Sequence, residues 1–236
     1  PLDLYKFRNN YLVKFYKNFE DDLSNLFEDS LKKFYINSDF KIRSLLKVLL
    51  EALCAIDNKF AKNIAEEFCG SKFMEIKIMG LTTCIKYNHK NSIRLLHKFY
   101  NEFKHDKIVL EKWFQIKSSY NNLNFNGINS VKDILKDINF EYKNPNLVRA
   151  VIGSFQSNNI ELFHAKDSSG YKFVADQIVK LDKINPQTAA RIIIPMTNTS
   201  KFNKTTKSKI EVYLKQILNS NPSNDVFEVI SKSLNQ

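Results

Sequence analysis

Glycine and proline are scarce in this sequence, with five residues of each among 236. A β-rich chain of this length would need more of both in its turns, so their scarcity argues against a sandwich or barrel and favours helices joined by short polar loops. Hydrophobic residues make up 43% of the chain, which is typical of a globular protein rather than a disordered one. We therefore predict an α-helical protein with a sizeable core.

Cysteine is also rare, and Cys54, Cys69 and Cys84 form no Cys-x-x-Cys pair. Each lies in an apolar pattern of helical spacing. An odd and sparse set of cysteines indicates buried thiols in a reducing compartment rather than a disulfide framework, so we predict a cytoplasmic protein.

Long hydrophobic runs are missing as well. No apolar stretch reaches the length that spans a membrane, and no signal peptide is present, so we expect no membrane partner. The chain begins at Pro1 rather than at Met, and we interpret it as a fragment or a processed product.

Negative charge falls short of positive charge, with 25 Asp and Glu against 36 Lys and Arg and a net charge of +11. A basic surface can indicate nucleic acid or an anionic membrane. Here Lys is spread along the chain with Glu and Asp between, and the densest run, residues 201–209, is typical of a solvated loop and helix start. We expect no nucleic-acid partner and keep a nucleic-acid-binding domain as an alternative that salt-dependent retention on DNA would test.

Residues that could support catalysis or metal binding are few. His89, His97 and His105 are eight residues apart, and that spacing turns a helix by about 80°. They therefore form no shared metal face, and we interpret them and His164 as surface or loop histidines. No glycine-rich phosphate loop and no nucleophile with an orienting base is present. The sequence predicts no metal ligands, no bound cofactor and no catalytic residue, so the chain by itself should be inactive.

Apolar residues recur at helical spacing almost throughout. The first stripe consists of Leu4, Phe7, Tyr11, Leu12, Phe15 and Phe19. Neighbouring helices pair at intervals of about 30 to 40 residues, the size of a two-helix repeat unit, and each pair would bury one face on the next. We predict one all-α domain over residues 1–236, an irregular α-α superhelix of antiparallel ARM/HEAT-like helix pairs. A compact helical bundle is the alternative.

One short sequence pattern, an asparagine-proline pair followed by an arginine, occurs twice. Asn144 and Asn185 each precede a proline, which combines a preferred N-cap residue with proline at the first helical position. Arg149 and Arg191 follow a little over one turn later, and helical side chains lean toward their own N-terminus. Because a guanidinium offers a planar fork that fits a carboxylate, both are candidate anion-binding residues. Ion pairing on the helix surface is the alternative for both.

Several motifs, in order along the chain, match one known family. They are Phe99-Tyr100, residues 103–106 and 109–114, residues 140–146 with Val148-Arg149-Ala150, residues 152–155, Phe163-His164, Gly170-Tyr171 with Phe173, residues 185–191, residues 225–228 and Ser231-Lys232. In order and spacing the sequence resembles the C-terminal domain of bacterial-type aminopeptidase N, of the gluzincin family. Departures from the family pattern occur at residues 73–76 and at Leu147, which replaces a frequent basic residue.

The resemblance implies a parent enzyme that is a zinc-dependent aminopeptidase and removes N-terminal residues from peptides. The zinc ligands and the motif for the substrate amine would lie in upstream domains of the same polypeptide. The family's C-terminal domain is an all-helical superhelix that covers the active site and leaves a channel for peptides. Peptide substrates and the upstream domains are the implied partners.

On this basis Arg149 and Arg191 become candidates for lining the chamber and holding the substrate's C-terminal carboxylate. The segment at residues 164–171, predicted as a loop, becomes a candidate for the chamber wall or for the junction with the upstream domains. The rival hypothesis is an independent helical-repeat scaffold that binds a protein partner.

Overall fold

The computed structural model describes residues 1–37, 39–121 and 126–234. Its α-helices are α1 Leu2–Asn18, α2 Glu20–Ile36, α3 Phe40–Ala55, α4 Lys59–Phe68, α5 Met74–Lys86, α6 Ser92–Phe103, α7 Lys107–Ser119, α8 Ile128–Ile134, α9 Pro145–Val148, α10 Ser154–Asn158, α11 Ile160–Phe163, α12 Ser169–Asp182, α13 Pro186–Thr197, α14 Lys204–Leu218 and α15 Asn224–Leu234. A π-helical turn spans Arg149–Gly153 and a 3₁₀ turn spans Thr199–Lys201. The predicted all-α fold class is confirmed.

The helices fall into two compact units. The first is Asp3–Glu102, and the second is Phe103–Gln236 together with Pro1–Leu2. The assignment of residues 1–236 to a single domain stays a prediction, and each unit is described by itself below.

In the first unit, α2 packs against α3 and α4 packs against α5, as antiparallel helix pairs of a repeat do. Two of these helices begin at side-chain caps. Asp39 Oδ1 accepts from the Ile42 N–H at 2.8 Å and Asn58 Oδ1 accepts from the Ala61 N–H at 3.1 Å. The core between the pairs is aliphatic and aromatic, and its fully buried members are Phe27, Leu46, Leu50, Leu53, Ile76, Leu81 and Ile85.

The closest approach of α4 and α5 is at Gly80. A β-carbon at this position would lie 2.5 Å from the Ala65 carbonyl oxygen and 2.7 Å from Phe68 Cβ. Only glycine lets the backbone of α5 come this close to α4, because any other residue would collide with main-chain atoms.

All three cysteines lie in this unit as free thiols, with Cys54 and Cys84 buried and Cys69 partly exposed. Burial raises the pKa of the Cys54 thiol to about 12. A hydrogen bond with Cys69, together with burial, raises the pKa of the Cys84 thiol. Both buried thiols are therefore protonated at neutral pH and serve as small core residues.

In the second unit, α7 packs on the π-helical turn and on α10, while α12 packs on α13 and α13 on α15. Phe155 lies at the centre, with its ring 5.2 Å from that of Phe173 and 6.0 Å from that of Phe163. Gly170 allows α12 to start against the end of α11. A β-carbon there would lie 2.3 Å from the Leu162 carbonyl oxygen.

Five of the six residues in the first apolar stripe of the sequence are exposed and only Leu12 is partly buried, so the prediction that this pattern is buried on a neighbouring helix pair is wrong here. The exposed fractions are 74% for Leu4, 70% for Phe7, 61% for Tyr11 and 46% for Phe15. The other side of α1 is partly buried through residues such as Tyr5 and Tyr16. Helix α1 thus has two apolar faces, and only one of them is covered.

The three helical glycines differ in the space around them, which predicts different responses to alanine. We expect Gly80→Ala and Gly170→Ala to lower the free energy of unfolding by about 2 kcal/mol or more, because a new methyl group would overlap backbone atoms. At Gly153 a β-carbon would meet Ile192 Cδ1 at 3.7 Å, an ordinary contact. Gly153→Ala should therefore be neutral or stabilise by up to about 1 kcal/mol through helix propensity.

Urea denaturation followed by circular dichroism measures all three variants. A Gly170→Ala protein as stable as the unsubstituted chain would contradict the close approach of α12 to α11.

Candidate functional site

The two asparagine-proline patterns stand at the start of helices, as predicted. Asn144 Oδ1 accepts from the Asn146 N–H at 2.9 Å, with Pro145 at the first helical position of α9. Asn185 Oδ1 accepts from the Thr188 N–H at 3.0 Å at the start of α13. Each cap satisfies an amide that the helix itself cannot pair, so both helix starts are fixed in direction.

Arg149 leans back over the first turn of α9, in the direction the sequence predicts. Its Nε donates to the Pro145 carbonyl at 3.4 Å, and a terminal nitrogen donates to Asn146 Oδ1. The side chain is exposed, and no carboxylate among the described residues forms an ion pair with it. Its positive charge is held in place by neutral oxygens and remains uncompensated.

Arg191 lies on the exposed side of α13. Within the part of the chain that the structure describes, it has neither a hydrogen-bond partner nor an ion-pair partner. The alternative of surface ion pairing is thus realised for neither arginine.

Both arginines stand where a helix departs from regular geometry. Arg149 opens the π-helical turn, in which its carbonyl accepts from the Ser154 N–H five residues on. Pro195 lies inside α13, four residues after Arg191, and has no N–H to offer to the Arg191 carbonyl. The proline could be read from the sequence, but the π-helical turn could not. Such turns often occur at functional sites.

The structure brings the two arginine-bearing segments together. Helix α13 packs on the π-helical turn, where Ile192 Cδ1 would contact a β-carbon at Gly153, and so would Arg149 Cβ at 3.9 Å. Gln156 Nε2 donates to the Ile192 carbonyl at 2.9 Å and ties α10 to α13. Each guanidinium group carries only donors, so each exposed side chain forms its own patch of positive surface on these packed segments.

A buried polar layer lies behind this surface, and sequence reasoning missed it. Asn159 Nδ2 donates to the Ser118 carbonyl at 3.1 Å, and Ser118 Oγ donates to the Val151 carbonyl at 2.7 Å. Among the described side chains, the amide oxygens of Gln156 and Asn159 are buried without a hydrogen-bond partner. The available signal was the polar run at residues 156–159 between apolar positions. These side chains fix the backbone of α7, α10 and α13 by hydrogen bonds rather than by packing alone.

His164 lies in the turn after α11, which fits its interpretation as a surface or loop residue, but it is partly buried in an aromatic cluster. Its Nδ1 lies 2.6 Å from the Tyr171 hydroxyl oxygen, and its ring is 5.5 Å from that of Phe202. Burial lowers the pKa of His164 to about 4 and raises the pKa of Tyr171 to about 12. At neutral pH the hydroxyl is therefore protonated and the imidazole is neutral, and the two groups share one hydrogen bond.

His89 also lies in a loop, between α5 and α6, but it is buried, with 6% of its area exposed, and its Nδ1 accepts from the Asn91 N–H at 3.2 Å. One sequence prediction needs correction. The segment at residues 164–171 is a loop only at its beginning, because α12 starts at Ser169 directly after Ser168, whose φ is +63°.

No metal centre is built from this part of the polypeptide. Among residues 1–37, 39–121 and 126–234, no three His, Cys, Asp or Glu side chains are grouped so that they could hold a metal ion. Within the same ranges, no helix has the length and apolar character that crossing a membrane requires.

Comparison with known proteins agrees with the geometry. A family model described as "Domain of unknown function (DUF3458_C) ARM repeats" matches residues 1–235. The chain belongs to this family. The DUF3458_C description names ARM repeats, which are the class of helix pairs that the periodicity predicts.

Aminopeptidases recur among the relatives of this DUF3458_C chain. Aminopeptidase N of Haemophilus influenzae is 33% identical over 141 residues, or 59% of this chain and 16% of that protein. Aminopeptidase N of Escherichia coli is 30% identical over 172 residues, or 72% and 20%. That of Caulobacter vibrioides is 30% identical over 196 residues, or 81% and 22%. The chain thus spans about a fifth of the length of these curated relatives.

A solved structure extends the similarity to nearly the whole chain. The crystal structure of Legionella pneumophila aminopeptidase A in complex with aspartic acid matches 98% of this chain and 28% of its own, with a TM-score of 0.84 and 25% identity. The resemblance to the C-terminal domain of the aminopeptidase N family, inferred from the motifs, is confirmed.

The depressed pKa of His164 predicts a specific pH dependence of stability. The unfolded chain takes up a proton near the ordinary pKa of 6.5, whereas the folded chain does so only near pH 4. Stability is therefore complete above pH 6.5 and falls as the pH drops from 6.5 to 4. We expect the loss to be about 2 kcal/mol after a discount for partial exposure.

Unfolding free energies measured at pH 7 and pH 4 test this. His164→Phe should remove most of the difference, and Tyr171→Phe should keep most of it, because burial rather than the hydrogen bond is the main cause. An equal loss of stability in His164→Phe and in the unsubstituted chain would refute the assignment.

Proposed function

We propose that this chain is the non-catalytic C-terminal domain of a zinc-dependent aminopeptidase N, an enzyme that removes N-terminal residues from peptides. The domain would enclose the active-site chamber and control the access of peptides. The observation that carries the proposal is the similarity to aminopeptidases along 98% of the chain, combined with a described structure that has no metal-ligand cluster of its own. Zinc and the catalytic groups would then be supplied by other domains of the same polypeptide.

The exposed apolar stripe of α1 supports the proposal that this domain packs against other domains of a larger protein. Leu4, Phe7, Tyr11 and Phe15 fall on one side of the helix and all remain largely in water. A helix with two apolar faces is typical of a layer between two other layers. The uncovered face is therefore a candidate contact with the other domains.

The uncompensated charges of Arg149 and Arg191 support a role in binding the substrate. A peptide held by its N-terminus at the zinc site presents its C-terminal carboxylate elsewhere in the chamber. Two guanidiniums without ion-pair partners, on helices that pack together, provide positive charge suited to that group. The free thiols fit a reducing compartment, and a cytoplasmic location remains part of the proposal.

An independent scaffold that binds a protein partner is the competing function. An open reading frame that starts at or near Pro1 would favour the scaffold, whereas a His-Glu-x-x-His zinc motif encoded upstream would favour the aminopeptidase.

A charge placed in the α1 stripe should weaken docking. In the full-length polypeptide, we expect Phe7→Glu to cost on the order of 2 kcal/mol of stability, because the carboxylate would be desolvated without a partner. In the 236-residue chain by itself the same change should alter stability by less than about 0.5 kcal/mol, since Phe7 is exposed.

Asn10→Glu is the matched control, because Asn10 is also exposed on α1 and outside the stripe. Thermal unfolding and limited proteolysis of both proteins measure the effect. Equal responses of the full-length protein to the two substitutions would rule out docking through the stripe.

Removing either arginine should weaken the binding of peptides with a free C-terminus. In the full-length enzyme we expect Arg149→Ala or Arg191→Ala to raise KM for tripeptides and tetrapeptides about fivefold to tenfold, with kcat little changed, because uniform binding energy is lost. Amidated versions of the same peptides, which lack the carboxylate charge, should respond much less.

Lys183→Ala, which removes the same charge from an exposed position after α12, serves as the control and should leave both KM values unchanged. Equal increases for free and amidated peptides would disprove carboxylate binding by these arginines.

A further inference from the structure

The second unit contains an open cavity of about 260 Å³ beside the start of α7. Neither Arg149 nor Arg191 lines it. Its walls come from the turn before α7, from α7 itself, from residues 138–144 and from α9. The lining residues are Lys104, His105, Lys107, Leu110, Ile138, Asn139, Glu141, Asn144 and Leu147.

One side of the cavity is basic and uncompensated. Lys104, His105 and Lys107 have no hydrogen-bond or ion-pair partner for their side chains among the described residues. Some other lysines are neutralised by an ion pair, such as Lys86, whose Nζ lies 2.6 Å from Glu51 Oε2. Glu141 is the one acidic residue in the lining, so the cavity favours an anion.

This positive charge comes from side chains rather than from the helix end. Asp106 already caps α7, with its Oδ1 accepting from the Ile108 N–H at 3.0 Å and from the Val109 N–H at 3.1 Å. The amides at the start of α7 are thus occupied, and the lysines supply the attraction.

The other side of the cavity is apolar. Leu110 and Leu147 are buried beneath it, while Ile138 stands at its rim with 91% of its area exposed. An apolar group seated in the cavity would remove the Ile138 side chain from water, which is favourable at about 25 cal/mol per Å².

We propose that this cavity binds a small monocarboxylate that carries an apolar side chain. Lys104 and Lys107 bind the carboxylate, and Leu110, Ile138 and Leu147 contact the apolar group. The volume limits the ligand to a small molecule, since cavities for drug-sized ligands measure about 300–1,000 Å³. The three apolar residues of the lining offer contacts that a ligand without an apolar group, such as inorganic phosphate, does not use. The site concerns this chain alone and does not depend on the proposed aminopeptidase function.

Three probes separate the parts of this proposal. N-acetyl-L-leucine carries both the carboxylate and the apolar group, N-acetyl-L-leucinamide lacks the charge, and inorganic phosphate lacks the apolar group. Isothermal titration calorimetry with the 236-residue chain, at probe concentrations up to about 10 mM, should show binding of N-acetyl-L-leucine with a Kd of about 1 mM. Binding of the amide or of phosphate should be at least about tenfold weaker, since charge-assisted hydrogen bonds or apolar contacts are lost.

Variants test the location. Lys104→Ala combined with Lys107→Ala should weaken the binding of N-acetyl-L-leucine at least about tenfold, and Ile138→Ala should weaken it about threefold. The matched control combines Lys112→Ala with Lys132→Ala, two exposed lysines that do not line the cavity, and should leave Kd within about twofold. The five substituted residues are four lysines and Ile138, and all are exposed. Their replacement should therefore leave the fold intact, which unfolding curves of the variants check.

The proposal is overturned by any of three results. The first is that N-acetyl-L-leucine does not bind at about 10 mM. The second is that the amide or phosphate binds as tightly as N-acetyl-L-leucine. The third is that the control pair of lysine substitutions weakens binding as much as the Lys104 and Lys107 pair.

Discussion

The unpaired backbone amides at the start of each helix are the constraint on which this structure depends. At six of the described helices the chain satisfies these amides with an Asn or Asp side chain. Asp39, Asn58, Asp106, Asn144, Asn185 and Asn203 each accept from an amide in the first turn that follows. Because each cap fixes where a helix begins and in which direction, the caps also decide which side chains face the core.

The sequence allowed much of this to be predicted, because caps and helical periodicity are local. Asn144 and Asn185 could be assigned as caps from their neighbouring prolines, and the lean of Arg149 followed from helix geometry. The π-helical turn after α9 could not be predicted, since it depends on how α7 and α13 pack against it. The burial of His89 and His164 also escaped prediction, because their aromatic and polar neighbours come from distant parts of the chain. For α1, periodicity identified the stripe but could not show which apolar face is covered.

The net charge of the chain does not show which charged side chains have ion-pair partners. Some of the lysines pair with Glu or Asp on neighbouring turns or helices, as Lys172 does with Asp176 at 2.8 Å. Arg191 and Lys107 have no such partner among the described residues, and they stand beside a helix irregularity and a cavity, respectively. Solvation or ion pairing of a surface charge usually changes the stability of a protein very little. Positive groups that stand unpaired next to a cavity or a helix irregularity are therefore better indicators of anion binding than the total of +11.

The uncovered face of α1 also affects how strongly molecules of the isolated chain associate with one another in solution. Its aromatic and aliphatic side chains attract one another between molecules, while the net charge of +11 keeps molecules apart. Electrostatic repulsion reaches only about 8 Å at physiological ionic strength and less at higher salt, whereas the apolar attraction persists. Added salt therefore shifts the balance toward self-association, and dilute low-salt buffers are the conditions in which single molecules are best preserved.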